Sequence, residues 1–175
     1  MSNHLDELTG VLRKRVLIER INELLVEAAE AGTTLSLVLM DLDLFKEFND
    51  THGHMAGDEL ISSFAKILQA NCRTSDLVGR YGGEEFILAM PDTYPEEALL
   101  MMEDLLRQVS QTTHKFQAGK HEFEHQYTFS GGVSAFPRDG SAFEELMQAA
   151  DKALYRAKIN GRNRLALAVK ERTGR

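Results

Sequence analysis

Carboxylates stand in two short clusters, Asp41-Leu42-Asp43 and Glu84-Glu85, and each borders a stretch that reads as β-strand. Side-chain alternation places Asp41 and Asp43 on one face at the end of their strand. Glu84 and Glu85 are consecutive on a hairpin, so they point to opposite faces and only one of them joins the aspartates. Two carboxylates from different elements, with a backbone carbonyl and water, suit Mg²⁺, which prefers oxygen ligands and binds substrate phosphates at the same time. The plainer role for the aspartates is to cap a helix starting at Leu44, and convergence with other groups decides between the two. Gly82 and Gly83 serve turn geometry, or leave bare backbone for a flat ligand. Lys46, Lys158 and Arg162 are the basic candidates for phosphate contact, although a single cation on a helix is more often simply solvated. Asn49 and Asp58 carry the donors and acceptors that read a guanine edge. Their alternative is turn and helix-cap duty.

Composition narrows the chemistry. The 175 residues with 43% hydrophobic content supply one domain with a core, taken as 1–175 with its body over about 5–170. A net charge of −7 argues against nucleic-acid binding, which rests on clustered Lys and Arg. A small anionic substrate remains open, because a bound cation can be the largest charge in its site. The lone Cys72 excludes an internal disulfide and a cysteine-rich zinc site, and reads as a small buried filler. His52 and His54 are two apart and the other histidines are scattered, so no zinc-protease pattern exists. There is no phosphate-loop signature, and Ser130 before Gly131-Gly132 lacks the flanks of a nucleophile elbow and reads as a strand residue. No apolar run reaches the roughly 20 residues that span a bilayer, and the first residues lack a leader pattern. No membrane contact is expected, and the location expected is cytoplasmic.

The elements that must position these residues follow from periodicity. Helical spacing predicts a helix over Val11 to Ala31, stopped at Gly32, and others over Ala56 to Asn71, Glu96 to Thr113 after Pro95, and Phe143 to Asn160 before Gly161. Thr34 to Asp41 reads as a central strand buried on both faces. Leu77 to Tyr81 and Glu85 to Met90 flank Gly82-Gly83 as a hairpin with a two-residue link. Phe123 to Ala135 reads as one strand after a polar stretch rich in His and Lys, and Arg164 to Val169 as a last short strand. Helices alternating with strands predict an α/β or α+β domain around one sheet.

Taken together, the motifs resemble the GGDEF diguanylate cyclases. Asp6-Glu-Leu-Thr-Gly10 is similar to the family's opening segment, and Asp41-Leu-Asp-Leu-Phe-Lys-Glu-Phe-Asn-Asp50 with Gly53-His-Met-Ala-Gly-Asp58 to its metal and substrate segment. Gly82-Gly-Glu-Glu-Phe86 resembles the Glu variant of the signature hairpin, and Ala153 to Asn163 the closing helix and turn. The resemblance implies a mainly antiparallel sheet wrapped by helices, related to the nucleotidyl cyclase and polymerase palm folds. It implies condensation of two GTP into cyclic di-GMP across a homodimer. By carry-over, Asp41, the Leu42 carbonyl, Glu84 and Glu85 hold Mg²⁺ or Mn²⁺, with Glu85 as second-metal ligand or catalytic carboxylate. Asn49 and Asp58 recognise guanine. Lys46, Lys158, Arg162 and the amides of Leu44 and Phe45 hold phosphates, and Gly82 and Gly83 admit the substrate. Arg73-Thr-Ser-Asp76 matches the family's inhibitory product site, where arginine stacks on guanine; its plainer role is an exposed ion pair worth under about 1 kcal/mol.

Two departures stand out. Arg13-Lys14 replaces the Asn-Arg usual in the opening segment, at no carried-over catalytic position. Family members usually carry a sensory domain before the opening segment, and only five residues precede Asp6, which suggests an excised domain or a minimal form. Two other functions compete. One is a non-catalytic module that binds cyclic di-GMP or GTP, against which the intact hairpin speaks. The other is a different nucleotidyl transferase on a palm fold, against which Asn49 and Asp58 speak.

Overall fold

The fold is known from a computed structural model, which describes residues 4–170. A two-residue strand β1 (Leu12–Arg13) leads into α1 (Lys14–Ala31), then β2 (Leu35–Leu42), α2 (Phe45–His52) and α3 (His54–Ala70). Strands β3 (Leu77–Arg80) and β4 (Glu85–Pro91) precede α4 (Pro95–Gln111) and the pair β5 (His114–Ala118) and β6 (His121–His125). The chain closes with β7 (Phe129–Phe136), α5 (Phe143–Ile159) and β8 (Leu165–Leu167). Six strands form one sheet in the order β1-β3-β4-β2-β7-β8. Its three inner pairings are antiparallel and the two outer ones parallel. This is the expected α+β domain with a mainly antiparallel sheet between helices.

The sequence explains the layering. All eight residues of β2 are buried, so it is the central strand, and its alternate side chains feed two cores. Val38, Met40 and Leu42 face a core with Leu60, Phe64 and Leu68 of α3 and Met102, Leu105 and Val109 of α4. Leu35, Leu37 and Leu39 face Leu17, Ile21 and Leu25 of α1 and Leu146, Ala150 and Leu154 of α5. Helix α1 ends at Gly32, whose left-handed φ of 67° lets its N–H reach the Ala28 carbonyl. Gly132 lets α5 lie directly on β7, because a Cβ there would stand 2.0 Å from the Ala150 oxygen.

Three expectations need correction. The first helix begins at Lys14 rather than Val11, because Leu12–Arg13 pairs in parallel with Gly79–Arg80. The predicted strand over Phe123 to Ala135 is two strands in two sheets: β6 pairs only with β5, and β7 pairs with β2 and β8. Alternation continues through the crossing, which is why the sequence hides it. The polar stretch before Phe123 is therefore a hairpin, seated on α2 through Phe48, Phe116 and Phe123 with ring centroids 5.5 to 6.1 Å apart. Finally, the link between β3 and β4 is four residues, Tyr81 to Glu84, with both Tyr81 and Gly82 donating to the Glu85 carbonyl. Cys72 is only half-buried, and burial with Asp76 nearby pushes its thiol up to about 12.

Candidate active site

The antiparallel register sets Asp41 of β2 directly opposite Glu85 of β4 on one side and Ser130 of β7 on the other. Asp41 shares the face of Leu37 and Leu39, which α5 covers, and Lys158 of α5 brings its Nζ to 2.5 Å from Asp41 Oδ2. Glu85 lies on that same face. Its burial, the Asp41 charge beside it, and Glu84 and Asp151 beyond hold its carboxyl above the usual carboxylate range, with Lys158 opposing. Asp43 has another task. It accepts hydrogen bonds from Thr128 Oγ1, Ser130 Oγ and the Asn163 amide, at 2.5, 2.7 and 2.9 Å. The pair therefore divides: Asp43 fastens the turn after α5, and no side chain caps α2, so the capping role does not arise.

The glycine turn is fixed by a residue that the sequence did not single out. Arg80 donates from Nε and Nη2 to the carbonyl of Gly83 at 3.0 and 2.9 Å and from Nε to that of Gly82 at 3.2 Å. Its Nη1 meets the Asp6 carboxylate at 3.2 Å. Burial alone would raise the Asp6 pKa, but hydrogen bonds from Thr9 and the Arg80 guanidinium hold it below the ordinary range. The opening segment and the signature turn are thus tied together. Neither Gly82 nor Gly83 adopts a positive φ. A Cβ at Gly82 would stand 2.8 Å from Glu85 Oε1, which would have to swing aside, whereas Gly83 faces open space. Glu84 is held beside the strand end through its carbonyl, which accepts from the Leu42 amide at 3.3 Å.

Leu44, with a left-handed φ of 55°, turns the chain from β2 into α2. The first amides of that helix have no capping side chain, a surface suited to an anion. Leu44 and Phe45 stand at this end, with Lys46 exposed in the first turn. Asn49 reaches back toward α3, where its Oδ1 is buried without a hydrogen-bond partner. Gly57 makes that possible, because a Cβ would overlap Asn49 Oδ1 at 1.7 Å. Asp58 follows on α3 and is exposed. Arg162 lies exposed in the turn after α5, at a left-handed φ of 59°. The structure therefore gathers Asp41, Glu84, Glu85 and Lys158 at one strand end, with the start of α2 leading out of it.

Among the described residues, no three His, Cys, Asp or Glu side chains have the spacing of a closed metal cage. The donors present are carboxylate and carbonyl oxygens in excess negative charge, which fit a hard divalent cation that keeps water and substrate oxygens in its shell. A profile described as diguanylate cyclase, GGDEF domain, matches residues 3–164. The chain belongs to the GGDEF domain family. This GGDEF domain is 40% identical over 158 residues to the response regulator PleD of Caulobacter vibrioides, a match covering 90% of this chain and 34% of PleD. It is 38% identical over 163 residues to diguanylate cyclase DosC of Escherichia coli K12, covering 93% and 35% respectively. The crystal structure of the GGDEF domain of DgcB from Caulobacter crescentus, in complex with c-di-GMP, matches with a TM-score of 0.88 and 30% identity over 97% of this chain and 96% of that one. The chain spans about a third of the length of PleD and DosC.

At the other end of β3, this GGDEF domain carries Arg73 and Asp76. The Asp76 side chain is fully buried while that of Arg73 is 47% exposed, so the ion pair of the plainer reading is exposed on the arginine side alone. Asp76 Oδ2 accepts from the Arg73 amide at 2.9 Å and lies 3.5 Å from Arg73 Nε, and its Oδ1 has no partner. A hollow of about 390 Å³ opens there, with Arg73, Asp76, Arg20 and Val11 in its wall. Among the described residues, no helix is long and apolar enough to cross a membrane.

Proposed function

We propose that this GGDEF domain is a diguanylate cyclase, condensing two GTP into cyclic di-GMP with release of two pyrophosphates. The observation that carries the reading is the crowding of Asp41 and Glu85 on adjacent strands, with Glu84 and Lys158 beside them. Asp41, Glu84, Glu85 and the Leu42 carbonyl would hold Mg²⁺ or Mn²⁺, which when bound draws charge from the α-phosphate and acidifies a 3′-hydroxyl. The uncapped amides of Leu44 and Phe45 grip the phosphates together with Lys46, Lys158 and Arg162. Asn49 Oδ1, buried without a partner, accepts from a guanine N–H, and Asp58 takes a second one. The bare backbone at Gly83 leaves room for the substrate.

Glu85, directly across from Asp41, serves either as a second-metal ligand or as the carboxylate that receives the proton of the 3′-hydroxyl. The freed oxygen bonds to the α-phosphorus of the opposing GTP while the bond to the bridging oxygen of pyrophosphate breaks. A second transfer in the reverse direction closes the ring. One domain supplies one set of guanine and phosphate groups, so two copies meet about a twofold axis. Feedback belongs to the same proposal: among the described residues Arg73 is engaged through Nε and Nη2 and Asp76 Oδ1 has no partner, and Nη1 and Oδ1 offer a donor and an acceptor to a guanine of the product. So do a regulatory input domain in the full-length protein, as the response-regulator relative suggests, and a cytoplasmic location, where GTP is supplied.

The test is incubation with GTP and Mg²⁺ over a range of protein concentrations, with nucleotides separated by chromatography. Cyclic di-GMP should rise more steeply than protein concentration. Glu84→Ala should abolish it with the fold retained. Absence of product at high protein concentration, with nucleotide still bound, would replace the cyclase by a binding module.

A further inference from the structure

Arg73 is restrained by more than Asp76. Its Nη2 donates to Thr93 Oγ1 at 2.6 Å, across a separation of 20 residues. Thr93 is buried, just ahead of α4. Its hydroxyl gives its own proton to the Pro91 carbonyl at 2.8 Å, so only lone pairs remain for the guanidinium. The rest of Thr93 is fastened too: its carbonyl accepts from Ser36 Oγ at 2.6 Å and its amide donates to the Thr34 carbonyl at 3.3 Å. A flexible arginine is therefore held at Nε by Asp76 and at Nη2 by a threonine that cannot turn away.

We propose that Thr93 is a positioning residue of the product site, setting the plane of the Arg73 guanidinium so that its Nη1 edge faces an incoming guanine. The proposal rests on the reading of Arg73 and Asp76 as the product site. Arginine carries rotamer entropy that binding must otherwise remove, and a guanidinium held at two points presents its remaining donors already oriented. Thr93 lies against Thr34 and Ser36 at the start of β2, the opposite end of that strand from Asp41, so its effect belongs to product affinity. Serine can replace its hydroxyl, whereas valine keeps its shape and loses the acceptor.

The experiment measures inhibition of turnover by added cyclic di-GMP, and binding of cyclic di-GMP by calorimetry, for the full chain and for Arg73→Ala, Thr93→Val and Thr93→Ser. The expected result is loss of inhibition in Arg73→Ala and a rise of about tenfold in the inhibition and dissociation constants of Thr93→Val, the scale of one hydrogen bond to a charged group. That loss should fall on the inhibition constant rather than on kcat, and Thr93→Ser should restore inhibition. Relief by Arg73→Ala with Thr93→Val inhibited as wild type would overturn the role of Thr93 and leave the product site standing. Inhibition unchanged in Arg73→Ala would overturn both. If Thr93→Val loses kcat and melting temperature together and Thr93→Ser does not restore inhibition, Thr93 serves the fold and the assignment fails.

Discussion

Glu85→Gln should make this domain more stable and inactive at once. Glu85 stands directly across an antiparallel pair from Asp41, and like charges in that position are destabilising by roughly 0.2–1 kcal/mol. Glu84 and Asp151 add repulsion, Lys158 offsets part of it, and the solvent reaching this half-buried group screens the remainder. Removing the charge with an isosteric amide should therefore gain a few tenths of a kcal/mol, at most about 1 kcal/mol. For a chain of this size that is a rise in Tm of about 1–4 °C. The pH dependence has a definite sign. A carboxyl whose folded pKa lies above its unfolded value binds its proton more tightly when folded, so stability declines as pH climbs from the unfolded pKa through the folded one. The penalty is complete at neutral pH and vanishes in acid below the ordinary carboxyl range of about 4. Thermal unfolding of wild type and variant, in chelator, at neutral pH and in acid, measures both statements. The variant should melt higher at neutral pH, and the gap should close in acid. Adding Mg²⁺ should raise the wild-type Tm more than that of the variant. A variant melting at or below wild type at neutral pH would refute the reasoning, and would mean that Lys158 neutralises the pair completely.

Two glycines yield sharp predictions. Gly57→Ala should drive Asn49 out of its seat, weakening GTP binding at least tenfold by calorimetry while costing about 1–3 kcal/mol of stability, and unchanged GTP affinity would separate Asn49 from guanine recognition. In Gly132→Ala the new Cβ would meet backbone atoms, the Ala150 oxygen at 2.0 Å and the Leu154 nitrogen at 2.6 Å, which no side-chain rotation relieves. Helix α5 must lift from the sheet, so denaturant unfolding should show a loss of about 3 kcal/mol or more, the upper end for overpacking.

What was legible in the sequence was local. The central strand carrying Asp41 and the position of the Gly82-Gly83 turn are stretches whose period and breakers stand next to each other in the chain, so pattern alone recovers them, though not that the link runs over four residues. The partner of each strand is not local. Continuous alternation from Phe123 to Ala135 reports which side chains share a face, but β6 and β7 bond to different sheets, and no residue at 126–128 marks the change. The same limit governs the site. Asp41 and Asp43 have one residue type and one face, yet Asp41 meets Lys158, and Asp43 holds Thr128, Ser130 and Asn163. Arg80 reads as an ordinary strand-end cation until the fold brings Asp6 to it from 74 residues away. Thr93 is the clearest case. Nothing in the chain near Thr93 singles it out, and only in the fold does its hydroxyl stand between the Pro91 carbonyl and the Arg73 guanidinium. Residue type told what that hydroxyl could do, and only the fold, which brings the turn before α4 to the turn before β3, told for whom.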